Sequence, residues 1–364
     1  MITTNEITVT NDEIEVFAKL SHTDVLALTN EMKMKYLYSL QVKHKKLERV
    51  ASDLMELISP FNETKILFVI GATGVGKTTL SKRVIRVLVE NLEKKGGNDP
   101  STVPFIFMPA PANGEKSLSW ISIYETALIQ SNEILINKKQ ANIIKNGIMS
   151  VQPKRYKNLP ALRDALDSML KNRKVRVLAI DEAYHLLRFG DKSAVMDTLK
   201  SIVDNNPVKL ILLGSYDLFD LASDYAQVSR RAEILHFERY HIEIAKDLQT
   251  FKSVVCKIQQ NWPCQDIPGF DRISKELMQA TLGCIGLLKA LMLRALSMQL
   301  KNNGKWDPKY LTKAAKSLKL IESIKSETES GEAKVAGATY GESIFSGRLL
   351  ERVINKMNAN VTDE

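Results

Sequence analysis

Gly71-Ala72-Thr73-Gly74-Val75-Gly76-Lys77-Thr78 decides how this chain folds. The stretch fits the phosphate-binding pattern G-x-x-x-x-G-K-[ST], and the apolar run Ile66-Leu67-Phe68-Val69-Ile70 leads directly into it. Behind it, Ser81-Lys82-Arg83-Val84-Ile85-Arg86-Val87-Leu88 reads as a helix with Val84, Val87 and Leu88 on its buried face. A strand before and a helix after are the context this motif needs, and a chance glycine-rich turn would have neither.

The spacing has a physical reason. Glycines let the backbone wrap an anion, so successive N–H groups point at the α- and β-phosphates while the helix dipole adds a favourable field. Gly71 through Thr78, with Thr79 behind, would hold the nucleotide; Lys77 carries charge to the β- and γ-phosphates and the Thr78 hydroxyl sits on Mg²⁺. ATP and Mg²⁺ are therefore the expected cofactors.

Downstream, Val177-Leu178-Ala179-Ile180 runs into Asp181-Glu182, a second buried strand ending in paired carboxylates. Asp181 is expected to hold Mg²⁺ through water, and Glu182 to polarise the attacking water as general base. A solvated surface acid is the alternative for Glu182. An adjacent acid at this point suits an ATPase with an extra strand between its two motifs, and Val103-Pro104-Phe105-Ile106-Phe107-Met108 supplies that strand.

Apolar runs at 66–70, 103–108, 175–180, 208–213 and, more weakly, 233–237 give five strands alternating with helices. Such alternation predicts a parallel sheet with helices on both faces, and right-handed crossovers place the ligand at the strand carboxyl ends. Gly71–Thr78, Asp181 and Ser215 all fall there. Ser215, closing Leu212-Leu213-Gly214-Ser215, reads as a γ-phosphate sensor that orients the attacking water; an ordinary strand-to-loop serine is the alternative.

Arg230 and Arg231 precede the fifth strand. A guanidinium reaching a neighbour's γ-phosphate stabilises spreading charge, and such a finger is worth ~10³–10⁵ in rate. Either arginine in that role makes the active enzyme an oligomer. A local ion pair with Glu233 or Asp224 competes with it.

The chain has 364 residues, 44% of them hydrophobic, enough for one large core or two moderate ones. Its expected organisation is a helical N-terminal extension over 1–60, an α/β nucleotide-binding domain over 61–239, a helical lid over 240–322, and a flexible linker and tail over 323–364. Ser323–Gly337 carries almost no large apolar residue, which motivates the linker. The pattern from Asp24 to Ile58 reads as helical, with Lys43-His44-Lys45-Lys46 lying off its apolar face.

Met1–Thr10 is polar and lacks the pattern of a signal peptide, and no apolar stretch approaches the ~20 residues that span a bilayer, so a cytoplasmic protein with no membrane partner is expected. Cys256, Cys264 and Cys284 show no C-x-x-C spacing, against a zinc site or a disulfide framework.

The net charge of +9 is unevenly placed. Between Lys138 and Arg176, eleven Lys and Arg face only Asp164 and Asp167, so this stretch matches the net charge of the whole chain. Within it lies Pro153-Lys154-Arg155-Tyr156-Lys157, basic residues around an aromatic. The concentration fits contact with a phosphate backbone; a solvated helical face is the alternative.

With these residues in place, the chain resembles AAA+ ATPases, and within them the transposon-encoded TniB/TnsC group. The resemblance covers roughly residues 45–300. It rests on Gly71–Thr78, Leu178-Ala179-Ile180-Asp181-Glu182-Ala183-Tyr184-His185-Leu186-Leu187, Gly214-Ser215, Arg230-Arg231-Ala232-Glu233 and Gly283-Cys284-Ile285-Gly286-Leu287-Leu288-Lys289. It implies a P-loop AAA+ parallel sheet with a C-terminal helical lid, assembled with ATP on double-stranded DNA as a ring or helical filament. It also implies a link between a target-selection protein and a transposase, with hydrolysis driving disassembly. Lys116, in the loop after the second strand, would meet DNA phosphate, as would Lys154, Arg155 and Lys157. The sequence departs from the wider pattern at Gly286, where many lids place a sensor arginine, with Lys289 nearby as a nucleotide contact. It also has Ala232 where the finger motif often has Phe. Slow hydrolysis regulated by assembly is expected. Secretion-type ATPases acting on protein partners and origin-binding-like DNA ATPases share much of this arrangement.

Overall fold

The computed structural model describes residue 9 and residues 11–94, 101–111, 118–131, 140–145, 148–153, 159–186, 191–228 and 231–339. The chain begins with α1 (Asn11–Lys19), α2 (His22–Ala27), α3 (Asn30–Ser39) and α4 (Lys45–Leu57). The αβ region follows with β1 (Ile66–Ile70), α5 (Lys77–Lys94), β2 (Phe105–Pro109) and α6 (Trp120–Gln130). Next come β3 (Gln140–Lys145), β4 (Ile148–Pro153), α7 (Leu159–Asn172), β5 (Val177–Asp181) and α8 (Lys192–Asn205). β6 (Lys209–Gly214), α9 (Phe219–Val228) and β7 (Ala232–His236) complete it. Then follow α10 (Ala245–Gln260), α11 (Ser274–Ala280), α12 (Ile285–Lys301), α13 (Lys309–Ala314) and α14 (Leu318–Thr339).

The five apolar runs become one parallel five-stranded sheet of order β2-β5-β6-β1-β7. Every residue of β1 and of β6 is buried, as expected of strands covered on both faces. Helices flank the sheet, and the architecture is the P-loop AAA+ fold with a helical C-terminal region. Register fixes the site: Ile70 pairs with Gly214, and Ile180 with Leu212, so the phosphate loop, Asp181 and Ser215 leave the sheet side by side.

Lys209, at the amino end of β6, is buried and donates to the carbonyls of Leu57, Ser59 and Asn62 at 2.8, 2.7 and 2.7 Å. One ammonium thereby fixes the exit of α4 against the start of the sheet.

Four features differ from the sequence reading. The helical pattern over 24–58 is broken by the caps Thr29 and His44 into α2, α3 and α4. His44 and Lys46 are not an exposed basic face. His44 is buried against the Tyr240 hydroxyl at 2.9 Å, and Lys46 is ion-paired to Asp247 at 2.8 Å. An antiparallel pair, β3 and β4, occupies part of the basic stretch. Finally, 323–339 is not a flexible linker, because these residues continue α14, whose buried stripe is Thr328, Gly331 and Val335. A helix can dock through such small residues by close approach, which composition does not reveal. Residues 340–364 lie outside the described residues.

The N-terminal helices join the lid. Leu37 of α3 is buried in one cluster with Phe251, Trp262, Leu288, Met292 and Leu296, and the Tyr36 hydroxyl donates to Asn261 Oδ1 at 3.0 Å.

Candidate active site

β1 delivers the chain into the phosphate loop, and α5 begins at Lys77 with its amino end facing that loop. Gly74 and Gly76 take φ of 82° and 120°, left-handed conformations that other residues rarely adopt. Ala72 and Val75 turn inward and are buried, Thr73 and Thr79 are exposed, and the Gly71 amide is anchored to the Gly214 carbonyl at 3.3 Å.

The Lys77 ammonium donates to the carbonyls of Gly71 at 2.8 Å and Ala72 at 3.0 Å, so it lies folded across its own loop. Burial lowers its pKa to about 8, opposed by the nearby Asp181 carboxylate. A triphosphate would reverse that shift by supplying the missing negative charge.

The Thr78 hydroxyl donates to Asp181 Oδ2 at 2.8 Å. Asp181 Oδ1 accepts from the Glu182 amide at 2.9 Å, which holds the carboxylate facing the loop. The hydroxyl and carboxylate are hard oxygen ligands in contact, a donor set that fits Mg²⁺ together with substrate phosphates. Bound there, the ion would neutralise charge on the phosphates.

Glu182 has φ of 53°, an uncommon conformation for a residue with a side chain, costing on the order of 1 kcal/mol. Its side chain is 62% exposed and lies 3.7 Å from His185 Nε2. Ser215, one residue past Gly214, is half-buried between the Asp181 strand and the phosphate loop, with its hydroxyl 3.4 Å from Asp217 Oδ2. The structure thus brings together Gly71–Thr79, Asp181, Glu182 and Ser215.

Arg231 stands elsewhere. Its carbonyl accepts from the amides of Lys65 and Ile66 at 2.8 and 3.1 Å, at the amino end of β1. Five residues of strand separate that end from the phosphate loop, about 17 Å. Arg231 is therefore remote from its own loop. Its Nη1 lies 3.7 Å from Asp204 Oδ1.

Lys289 is held from the α3 side. Its ammonium donates to the carbonyls of Tyr38 and Leu40 and lies over the Tyr38 ring, because α3 packs on that face of α12. Arg230, Lys116, Lys154, Arg155 and Lys157 lie outside the described residues. Among the described residues no cluster suits a structural metal, and no helix is long and apolar enough to cross a membrane.

The lid meets the phosphate loop through a main-chain contact that the sequence reading did not foresee. The Gly286 amide donates to the Gly74 carbonyl at 2.7 Å, and a Cβ at Gly286 would sit 2.5 Å from that oxygen. Leu287 packs over Gly74. Cys284 is buried beside them, with its thiol pushed up to about 12 by burial, so it stays protonated. Gly286 stands where a sensor arginine was the pattern, and the glycine itself was the only signal of this contact.

Residues 62–221 match the family model described as AAA domain. A comparison with curated protein sequences gives no match. Among solved structures, the ORC2 protein of Aeropyrum pernix in its ADP form is similar at 16% identity and a TM-score of 0.51, covering 76% of this chain and 68% of that one. The same protein in ADPNP–ADP complexes aligns at 16% identity and a TM-score of 0.51, covering 77% and 69%. The Aeropyrum pernix ORC1 protein in complex with DNA aligns at 15% identity and a TM-score of 0.53, covering 80% and 67%. At these identities the likeness speaks for the fold.

Proposed function

We propose that this chain is a cytoplasmic AAA+ ATPase that assembles with ATP and Mg²⁺ as an oligomer on double-stranded DNA and regulates transposition, coupling a target-selection protein to a transposase. The observation that carries the ATPase reading is the convergence of Lys77, Thr78, Asp181, Glu182 and Ser215 at one end of the sheet. The resemblance of the Asp181–Leu187 and Gly283–Lys289 stretches to the TniB/TnsC group supports the transposition reading.

In this reading the loop amides and Lys77 bind the β- and γ-phosphates, while Thr78 and Asp181 would hold Mg²⁺. Glu182 takes a proton from the attacking water and Ser215 orients that water by a hydrogen bond. Arg231, remote from its own loop, or Arg230 serves a neighbouring copy, so γ-phosphate glues subunits and its loss loosens them. Lys116, Lys154, Arg155 and Lys157 contact DNA phosphates, which makes binding tolerant of sequence and sensitive to salt. With Gly286 in the lid's sensor position, hydrolysis is slow and set by assembly.

An origin-binding-like DNA ATPase is the second reading, favoured by the fold likeness to the ORC1 protein in complex with DNA.

The test is phosphate release by the purified chain with and without duplex DNA, with electron micrographs in a non-hydrolysable ATP analogue. DNA-stimulated release and filaments or rings on the duplex are expected. A chain that stays monomeric and ignores duplex when saturated with the analogue overturns the proposal. Assembly without any effect of a transposase on hydrolysis favours the second reading.

A further inference from the structure

α14 reaches two parts of the candidate site at once. Arg239, three residues beyond β7, donates Nε to Glu332 Oε1 at 2.9 Å and Nη2 to Glu332 Oε2 at 3.0 Å. The remaining nitrogen, Nη1, donates to the Leu282 carbonyl at 3.2 Å. Leu282 begins the tight turn into α12, four residues before the Gly286 amide that holds the phosphate loop. One guanidinium therefore bridges α14 and the base of the lid, with the two side chains only 12% and 15% exposed. A planar fork shared this way fixes geometry as well as charge.

The adjacent residue makes the second link. Gly331 lies so close to the Tyr216 ring that a Cβ there would overlap it. Tyr216 follows Ser215 directly, and its hydroxyl is 3.1 Å from His236 Nε2. Gly331 thus backs the turn that presents the serine.

The rest of the α14 contact is thin, with Thr328 and Val335 buried and Ile321 and Ile324 half-buried. A helix held by one close approach, the Glu332 pairing, a half-exposed Lys334–Asp220 contact at 3.3 Å and a narrow stripe has a modest docking free energy, which a change in the site it touches can shift.

We propose that Gly331 and Glu332 are positioning residues for the ATP site: docked α14 holds Ser215 and the 282–286 turn in the arrangement that closes on nucleotide, and undocked α14 releases both. This rests on the ATPase reading above. Linkage makes the effect reciprocal, so bound nucleotide must also tighten α14.

The full chain is compared with Gly331→Ala, Glu332→Gln and Arg239→Lys. Gly331→Ala favours the isolated helix but blocks docking, whereas Glu332→Gln keeps the side-chain shape and introduces no overlap. Arg239→Lys keeps a charge for Glu332, yet one ammonium cannot span both the carboxylate and the Leu282 carbonyl. The readouts are affinity for a fluorescent non-hydrolysable ATP analogue, single-turnover hydrolysis, and hydrogen exchange of 282–288 and 324–335.

In the wild type the analogue is expected to slow exchange in both segments together. Gly331→Ala and Glu332→Gln should speed exchange in 324–335, weaken analogue binding about fivefold or more, and slow the single turnover. Arg239→Lys should keep α14 protected, speed exchange in 282–288 and weaken analogue binding. Variants that undock α14 yet bind and hydrolyse like the wild type overturn the inference alone, as does lid protection without α14 protection. A wild type that neither binds the analogue nor hydrolyses ATP overturns the ATPase reading and this inference with it.

Discussion

The backbone amide of Gly286 donates to the carbonyl of Gly74, so the first turn of α12 is latched to the phosphate loop by a main-chain hydrogen bond. A lid joined in this way is coupled to the loop's backbone. Gly286→Ala places a Cβ 2.5 Å from that carbonyl. The turn must move, and nucleotide should dissociate about tenfold faster, a change of about 1.4 kcal/mol. Stopped-flow release of a fluorescent ATP analogue measures this; an unchanged rate would mean that the latch does not hold nucleotide in place.

Lys77 predicts a pH signature. Its pKa is lowered to about 8 by burial, and phosphate would raise it. Below that value the free site is already protonated, and binding moves no proton at this residue. Above it the free lysine is neutral and the complex retains the proton, so binding takes one up. Affinity then falls by about tenfold per pH unit above that pKa, until the pKa of the complex is reached. Calorimetry at pH 9 in two buffers of different ionisation enthalpy should show uptake approaching one proton, absent at pH 6.5. Lys77→Ala should abolish binding and assembly together.

Glu182→Gln keeps the length and the left-handed backbone demand of the residue but removes its basicity. ATP should still bind, hydrolysis should fall by roughly 10²–10⁴, and ATP-bound assemblies should persist on DNA. Sedimentation after dilution reads this, and prompt disassembly of the variant would overturn the general-base role.

Lys209→Met tests the frame apart from the chemistry. The substitution leaves three carbonyls without their charged donor, at a cost of about 3 kcal/mol. The urea midpoint should drop while analogue affinity at low urea stays the same. A parallel loss of affinity would show that the start of the sheet also tunes the loop.

The αβ core was legible because strands covered on both faces need unbroken apolar runs, and Ile66–Ile70 and Leu210–Leu213 are such runs. The phosphate loop and Asp181-Glu182 were legible because anion wrapping and metal binding demand particular residues at fixed spacing. The contacts of Lys289 were not legible because the carbonyls of Tyr38 and Leu40 are some 250 residues away in sequence. Lys46 misled because a long side chain can leave an exposed face to reach Asp247. The 323–337 stretch misled because its stripe substitutes close approach and an ion pair for large apolar side chains. The hairpin of β3 and β4 had a usable signal in Asn146-Gly147, a two-residue turn signature between them.

The burial of Leu37 among lid residues sets an order for biogenesis. Residues that leave the ribosome early cannot complete their packing until α10 and α12 follow, about 10–50 s later at ordinary elongation rates. Meanwhile the nascent α3 exposes an apolar surface, a point at which a chaperone would engage the chain and at which an expression fragment ending near residue 240 would aggregate.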